Sequence, residues 1–246
     1  MSGTGLRRFV TGATAPAGQA PSAAAAAAAD APLGTLPQES ARTAAGQEAC
    51  EFCAASIPAH HDHVADTEGP ALMCSCRACY LLFTSTGAGM AAGGRGRYRA
   101  VPDRYRSDAA RPLAAADWDA LEIPVGLAFF LRSSGSEHVR AFYPSPAGVT
   151  ESQLNLEAWT RVAAEHPLLE AAEPDVEAIL ISRASAGPGG QPGVETFLVP
   201  VDACYELAGR MRLLWHGFDG GAEARQGIAD FLARVRERSR DLSRER

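Results

Sequence analysis

Five of the six cysteines lie in one short segment, and their spacing is typical of a metal site. Cys50 and Cys53 form one C-x2-C pair, and Cys76 and Cys79 form a second. Each pair places two sulfur atoms on one tight turn, so two pairs can supply the four thiolates of a tetrahedral zinc site. The spacing therefore predicts a small zinc-ribbon or zinc-knuckle module. Four thiolates leave no open coordination position, so the predicted ion is structural.

The segment holds more candidate ligands than a single ion needs. Cys74 precedes the second pair, so either Cys74 or Cys76 could supply the fourth sulfur. We expect four of the five clustered cysteines to bind the ion. His61 and His63 lie between the two pairs and are further candidates, and a second ion or a cluster with mixed ligands stays open.

Iron is the alternative to zinc at these cysteines. A rubredoxin-like centre also uses two C-x2-C pairs, and an iron–sulfur cluster uses four thiolates. Rubredoxins usually carry glycine or proline beside their cysteines, whereas Ala54 and Arg77 occupy those places here. Zinc is therefore the expected ion, with iron as the second choice and free or redox-active thiols as the third.

A segment rich in arginine and tyrosine follows the cysteines. Arginine and tyrosine are frequent anchors of protein interfaces, and beside a zinc ribbon they could also hold nucleic acid by phosphate contacts and stacking. The formal net charge of -6 counts against nucleic acid. We expect the segment to bind a protein partner or to pack on the domain. Its candidate partner-binding residues are Arg97, Tyr98, Arg99, Arg104 and Tyr105.

Motifs of nucleotide binding and hydrolytic catalysis are absent from the sequence. It contains no P-loop, no dinucleotide fingerprint, no G-x-S-x-G and no H-E-x-x-H. Cys204 lies on the apolar face of a predicted helix, where a buried cysteine acts as a small hydrophobic residue. We therefore predict no catalytic residue and favour a non-enzymatic role. An enzyme that uses Cys204 or the histidine segment is the alternative.

Composition divides the chain into four parts. Residues 1–46 are rich in alanine, proline and glycine and are expected to be disordered, since they carry few large apolar side chains. Residues 47–86 hold the cysteine module, residues 87–116 form a connection rich in glycine and arginine, and residues 117–246 form the main domain with a C-terminal helix. No apolar run of about 18 residues predicts a membrane span, and we expect a cytoplasmic protein.

The main domain alternates apolar strands with amphipathic helices. A helix follows each pair of strands, the first after a capping box of Thr150 and Gln153 and the second with Asp202 as its N-cap. The pattern predicts an α+β fold. Its antiparallel sheet is built from two strand-strand-helix units, with the helices on one face. The four strands are predicted at residues 123–131, 138–143, 176–181 and 194–199.

Six motifs stand out in the sequence: CEFC at 50–53, CSCRACYLLF at 74–83, YRAVP at 98–102, IPVG at 123–126, FYPSPAG at 142–148 and WHGF at 215–218. These motifs resemble those of an uncharacterised actinobacterial protein family whose genes lie beside those of nickel–iron hydrogenases. The resemblance covers about residues 48–240 and brings no assigned activity. It implies a role near hydrogenase synthesis, assembly or electron delivery, and we favour an accessory protein that docks on a hydrogenase subunit or maturation factor. An electron carrier for hydrogenase and a zinc-ribbon regulator that binds nucleic acid are the alternatives.

Overall fold

The computed structural model describes most of the chain after residue 47. All described residues lie within one compact unit. The predicted disordered tail and the glycine-rich start of the predicted connection lie outside them. The described ranges are residues 48–69, 71–84, 96–136, 138–146, 148–183, 193–217 and 220–242.

A three-stranded antiparallel sheet carries the cysteine segment. Its elements are β1 (Asp62–Asp66), β2 (Ala71–Ser75), α1 (Arg77–Thr84) and β3 (Tyr98–Ala100). The strand order is β2-β1-β3. Ala65 and Leu72 of this sheet pack against Val176 and Val201, which belong to the main domain. The small sheet therefore has few core residues of its own and depends on its neighbour for burial.

The main domain is a seven-stranded sheet with helices. Its strands are β4 (Arg106–Ser107), β5 (Leu127–Arg132), β6 (Val139–Ser145), β7 (Gly148–Ser152), β8 (Glu177–Arg183), β9 (Val194–Pro200) and β10 (Arg240–Asp241). Its helices are α2 (Ala115–Ala120), α3 (Leu156–Glu165), α4 (Pro167–Glu170), α5 (Val201–Leu214) and α6 (Gly221–Arg238). The strand order is β10-β4-β9-β8-β5-β6-β7. Only the β10–β4 pair is parallel. None of the helices in the described ranges is long and apolar enough to cross a membrane.

Helices cover both faces of the large sheet, which confirms the α+β class but differs from the expected single helical face. Neighbouring residues of a strand point to opposite faces. Phe130 of β5 packs with Trp159 of α3, whereas Phe129 packs with Leu207 of α5. The physical reason is visible in β5 and β8. Both are near-continuous apolar runs, and such runs are typical of strands that are buried on both faces.

A third strand interrupts the first predicted strand-strand-helix unit. Thr150 lies in β7 and pairs with Tyr143 of β6, so the predicted capping box with Gln153 does not form. Asn155 caps α3 instead, because its side chain accepts a hydrogen bond of 3.0 Å from the backbone N–H of Ala158. The spacing of Thr150 and Gln153 therefore did not identify the start of the helix, because Thr150 pairs with the neighbouring strand instead.

A buried ion pair joins the segment after β3 to the large sheet. The side chain of Glu177 is fully buried at the start of β8. Arg104 Nε donates to Glu177 Oε1 at 2.7 Å, and the backbone N–H of Glu173 donates to Glu177 Oε2 at 2.9 Å. Breaking such a pair leaves an uncompensated buried charge.

We expect Arg104→Ala to lower the free energy of unfolding by about 3 kcal/mol, because Glu177 would lose its counter-ion. Urea denaturation followed by far-UV circular dichroism measures this change. Arg183→Ala is the matched control, since it removes an exposed pair with Asp119 and should cost less than about 1 kcal/mol. Equal losses in the two variants would show that the buried pair has no special role.

Candidate metal centre

Two turns bring four cysteine sulfurs together. The Sγ atoms of Cys50, Cys53, Cys76 and Cys79 all lie within 4.8 Å of one another, and those of Cys53 and Cys76 are 3.7 Å apart. A tetrahedron with metal–sulfur bonds of about 2.3 Å has edges of about 3.8 Å, whereas disulfide sulfurs lie about 2.05 Å apart. No disulfide joins any two of the six cysteines. The spacing therefore suits four ligands around one ion better than it suits disulfide pairs.

The first turn is closed by backbone hydrogen bonds around Cys50. The N–H of Cys50 donates to the carbonyl of Ala55, and the N–H of Ala54 donates to the carbonyl of Cys50, both at 2.8 Å. Ala54 follows Cys53 with a φ of 59°, a left-handed conformation that glycine adopts without cost. This is one of the two positions at which the sequence departs from the rubredoxin pattern, and the turn forms there with an alanine.

The second turn lies at the junction of β2 and α1. Cys76 precedes the helix, and the backbone N–H of Cys79 in the first helical turn lies 3.5 Å from Cys76 Sγ. The N–H of Glu51 donates to the carbonyl of Cys74 at 2.9 Å, which joins the first turn to β2. Backbone hydrogen bonds therefore align the two turns with each other.

The thiols of this cluster do not ionise alike. Burial raises the pKa of Cys50, but backbone N–H groups outweigh it and lower the pKa to about 6. Desolvation and the neighbouring cysteines raise the pKa of Cys79 to about 12. The cluster thus favours one thiolate and opposes several at once. A divalent cation removes that opposition, so metal binding would release protons.

Cys74 lies in a second group, with two histidines. Ligand atoms of His61, His63 and Cys74 lie within 4.8 Å of one another. His63 and Cys74 are direct partners in the antiparallel pairing of β1 with β2, so their side chains share one face of the sheet. The structure therefore places Cys76 with the four-cysteine group and Cys74 with the histidines.

Asp202 contacts this second group from the main domain. Its Oδ2 lies 3.0 Å from His63 Nδ1. The predicted N-cap role of Asp202 was wrong, because α5 begins at Val201 and its N-cap is Pro200. Burial lowers the pKa of His63, but the Asp202 carboxylate and Cys74 outweigh it and raise the pKa to about 9. This environment stabilises positive charge at His63.

Two of the predicted partner-binding residues contact the small sheet and the first cysteine turn. Arg97 pairs with the largely buried Asp66 at 2.7 Å. Tyr98 contacts the rings of Phe52 and Phe83, at centroid distances of 5.6 and 5.7 Å. These contacts hold β3 and the start of the arginine-rich segment against the first turn and α1.

The other three residues of that set contact the main domain. Arg99 pairs with Glu173 at 2.8 Å, and Arg104 pairs with Glu177 as described above. Tyr105 is buried, and the guanidinium of Arg238 lies 4.1 Å from its ring centroid. All five residues thus have partners within the chain, and their role in binding another protein stays a prediction.

We expect Ala54→Gly to raise the free energy of unfolding of the metal-loaded protein by about 1 kcal/mol, because glycine removes the cost of a left-handed alanine. Urea denaturation measures the change. The control is Ala55→Gly, one residue later, where φ is not positive and glycine should destabilise by about 0.5–1 kcal/mol. If Ala54→Gly destabilised as much as the control, the left-handed turn would not be formed in solution.

Comparison with known proteins identifies a family for nearly the whole described region. The model of a family of unknown function, DUF5947, matches residues 49–239. That range contains both cysteine turns, the histidines and almost all of the large sheet. The searches of curated proteins and of solved structures each found no match. The chain therefore belongs to the DUF5947 family.

Proposed function

We propose that the chain is a non-enzymatic accessory protein in which Cys50, Cys53, Cys76 and Cys79 bind one structural zinc ion. The convergence of these four sulfurs carries the proposal. Four thiolates complete a tetrahedral shell, so the ion would have no open position for substrate. Zinc is the proposed ion because a closed shell of four thiolates is typical of structural zinc sites. Zinc does not change oxidation state, which suits an ion whose proposed role is to join two turns.

The proposed ion would have a structural role, because its ligands come from two separate segments of the chain. Cys50 and Cys53 precede β1, whereas Cys76 and Cys79 lie where β2 passes into α1, so one ion would tie the segment before β1 to the junction of β2 and α1. The small sheet shares its core with the main domain. In such a module, metal binding contributes directly to the free energy of folding.

The cytoplasm is the proposed location. None of the six cysteines forms a disulfide, and a reducing compartment keeps thiols available as metal ligands. The same cysteines in an oxidising compartment would compete between metal binding and disulfide formation.

We expect Cys53→Ser to lower the metal content of the purified protein by about one ion per chain, because three thiolates hold zinc less tightly than four. Cys204→Ser is the matched control, since Cys204 is buried in α5 and belongs to neither ligand group and should leave the content unchanged. Elemental analysis counts the ion and identifies it. Iron in place of zinc, with visible absorbance, would favour the electron-carrier alternative, and equal metal content in both variants would contradict the site.

The proposed partner is a hydrogenase subunit or maturation factor, and α1 is the proposed docking surface. The partner class comes from the resemblance described under Sequence analysis. Tyr80 of α1 faces the interior, whereas Leu81 and Leu82 are 48% and 60% exposed. Two adjacent exposed leucines on the helix that supplies a metal ligand favour a protein contact. Zinc binding would then order the surface that the partner recognises.

We expect the double variant Leu81→Asp/Leu82→Asp to reduce recovery of the hydrogenase partner in a pull-down by at least about tenfold, because charge replaces two apolar contacts. Its metal content should stay unchanged. Leu213→Asp is the control, since Leu213 is 79% exposed on α5. Recovery of no hydrogenase subunit or maturation factor by the unmodified protein would contradict the proposed partner.

A further inference from the structure

We propose that His61, His63 and Cys74 form a second metal site, with an open coordination position that faces a cleft. This site shares no ligand with the four-cysteine centre. Two imidazoles and one thiolate suit a zinc-class divalent ion, and three protein ligands are typical of zinc sites that bind an exchangeable fourth ligand. The proposal rests on the geometry of these three side chains and on the state of His61.

His61 has a buried nitrogen that the described part of the chain leaves unpartnered. Its side chain is only 8% exposed. Nδ1 donates to the carbonyl of Pro58 at 2.9 Å and lies 3.4 Å from Glu48 Oε2, so Nε2 is the nitrogen that can serve as a ligand atom. That Nε2 atom is buried and has no hydrogen-bond partner among the described residues. A buried polar atom without a partner is costly, and a metal ion would satisfy it.

His63 is oriented in the way that metal-binding histidines usually are. The Nδ1 atom faces the Asp202 carboxylate at 3.0 Å, which leaves Nε2 as its ligand atom. A carboxylate behind a histidine fixes the ring and makes it a better donor. Pro58 and Asp202 thus hold the two Nδ1 atoms, and the two rings lie side by side with centroids 4.7 Å apart.

Cys74 supplies the third donor because of strand pairing. It is the direct partner of His63 in the β1–β2 ladder, and its backbone N–H is held by Glu51 Oε1 at 3.2 Å. The three donors therefore come from a rigid hairpin and the residue before it, and not from a loose loop. Rigid elements of this kind fix ligand positions before the ion binds.

Two of the three ligands line a cleft of about 760 Å³, so the open position has access to solvent and small ligands. On another wall of the cleft, Glu206 accepts from both Arg210 and Arg234, at 2.8 and 2.9 Å. The whole cleft is lined by four carboxylates, of Asp62, Asp103, Asp202 and Glu206, and by three guanidinium groups, so its wall carries no excess of positive charge. A divalent ion bound by two neutral imidazoles and one thiolate keeps one positive charge, which favours a small anion as the fourth ligand.

Cobalt loading of the full-length chain tests the proposal. We expect the unmodified protein to bind about two Co²⁺ ions per chain, and Cys74→Ala and His61→Ala to bind about one while keeping the absorbance of the four-thiolate centre. Retention of that absorbance shows that the variants are folded. His60→Ala is the matched control, because His60 lines the same cleft but lies outside the three-ligand group. It should bind as much cobalt as the unmodified chain.

Azide is the probe of the open position. We expect azide to shift the visible cobalt bands of the unmodified protein and of His60→Ala, and to leave those of Cys74→Ala unchanged. Binding of one ion by the unmodified protein, or of two by both site variants, would overturn the second site. Cobalt bands that azide does not alter would overturn the open position. Cys53→Ser separates the two centres, because it should lose the four-thiolate absorbance and keep the azide response.

Discussion

The approach of two backbone turns that carry Cys50–Cys53 and Cys76–Cys79 is the constraint on which the small sheet depends. Four thiols within 4.8 Å of one another are a poor arrangement without an ion, because each thiolate opposes ionisation of the next. The rest of the small sheet offers little burial to offset that cost, since its apolar residues share a core with the main domain. A bound cation would offset this cost, because its positive charge would stabilise several thiolates at once.

The cysteine turns could be predicted because their geometry is local. A C-x2-C spacing fixes the separation of two sulfurs through a few backbone hydrogen bonds, whatever the remainder of the chain does. The same reasoning explains why Cys204 could be placed in a helix core from its apolar neighbours, and it is buried there. The strands of the main domain could also be predicted from the sequence, since its apolar runs are short and separated by turn residues.

What could not be predicted depends on pairing between distant residues. The choice between Cys74 and Cys76 is decided by the β1–β2 ladder, which sets Cys74 opposite His63, and a sequence does not state its own strand alignment. Asp202 lies far along the chain from His63, so its contact with that ring could not be inferred from local spacing. The helices on both faces of the sheet were missed although β5 and β8 are apolar on both sides. The continuous run of apolar residues in those strands was the available signal.

The arginines and tyrosines of residues 97–105 connect the small sheet to the main domain. Arg97 pairs with Asp66 of β1 and Tyr98 contacts Phe52 of the first cysteine turn, whereas Arg99, Arg104 and Tyr105 contact the main domain. Because β1 lies between β2 and β3, any ion that stiffens the hairpin of β1 and β2 also stiffens the start of this segment. Cys74 and Cys76 lie on either side of Ser75, which is fully buried, so neither sulfur can move far without disturbing the other. Occupancy of one metal group should therefore order the ligands of the other, through a backbone that both share.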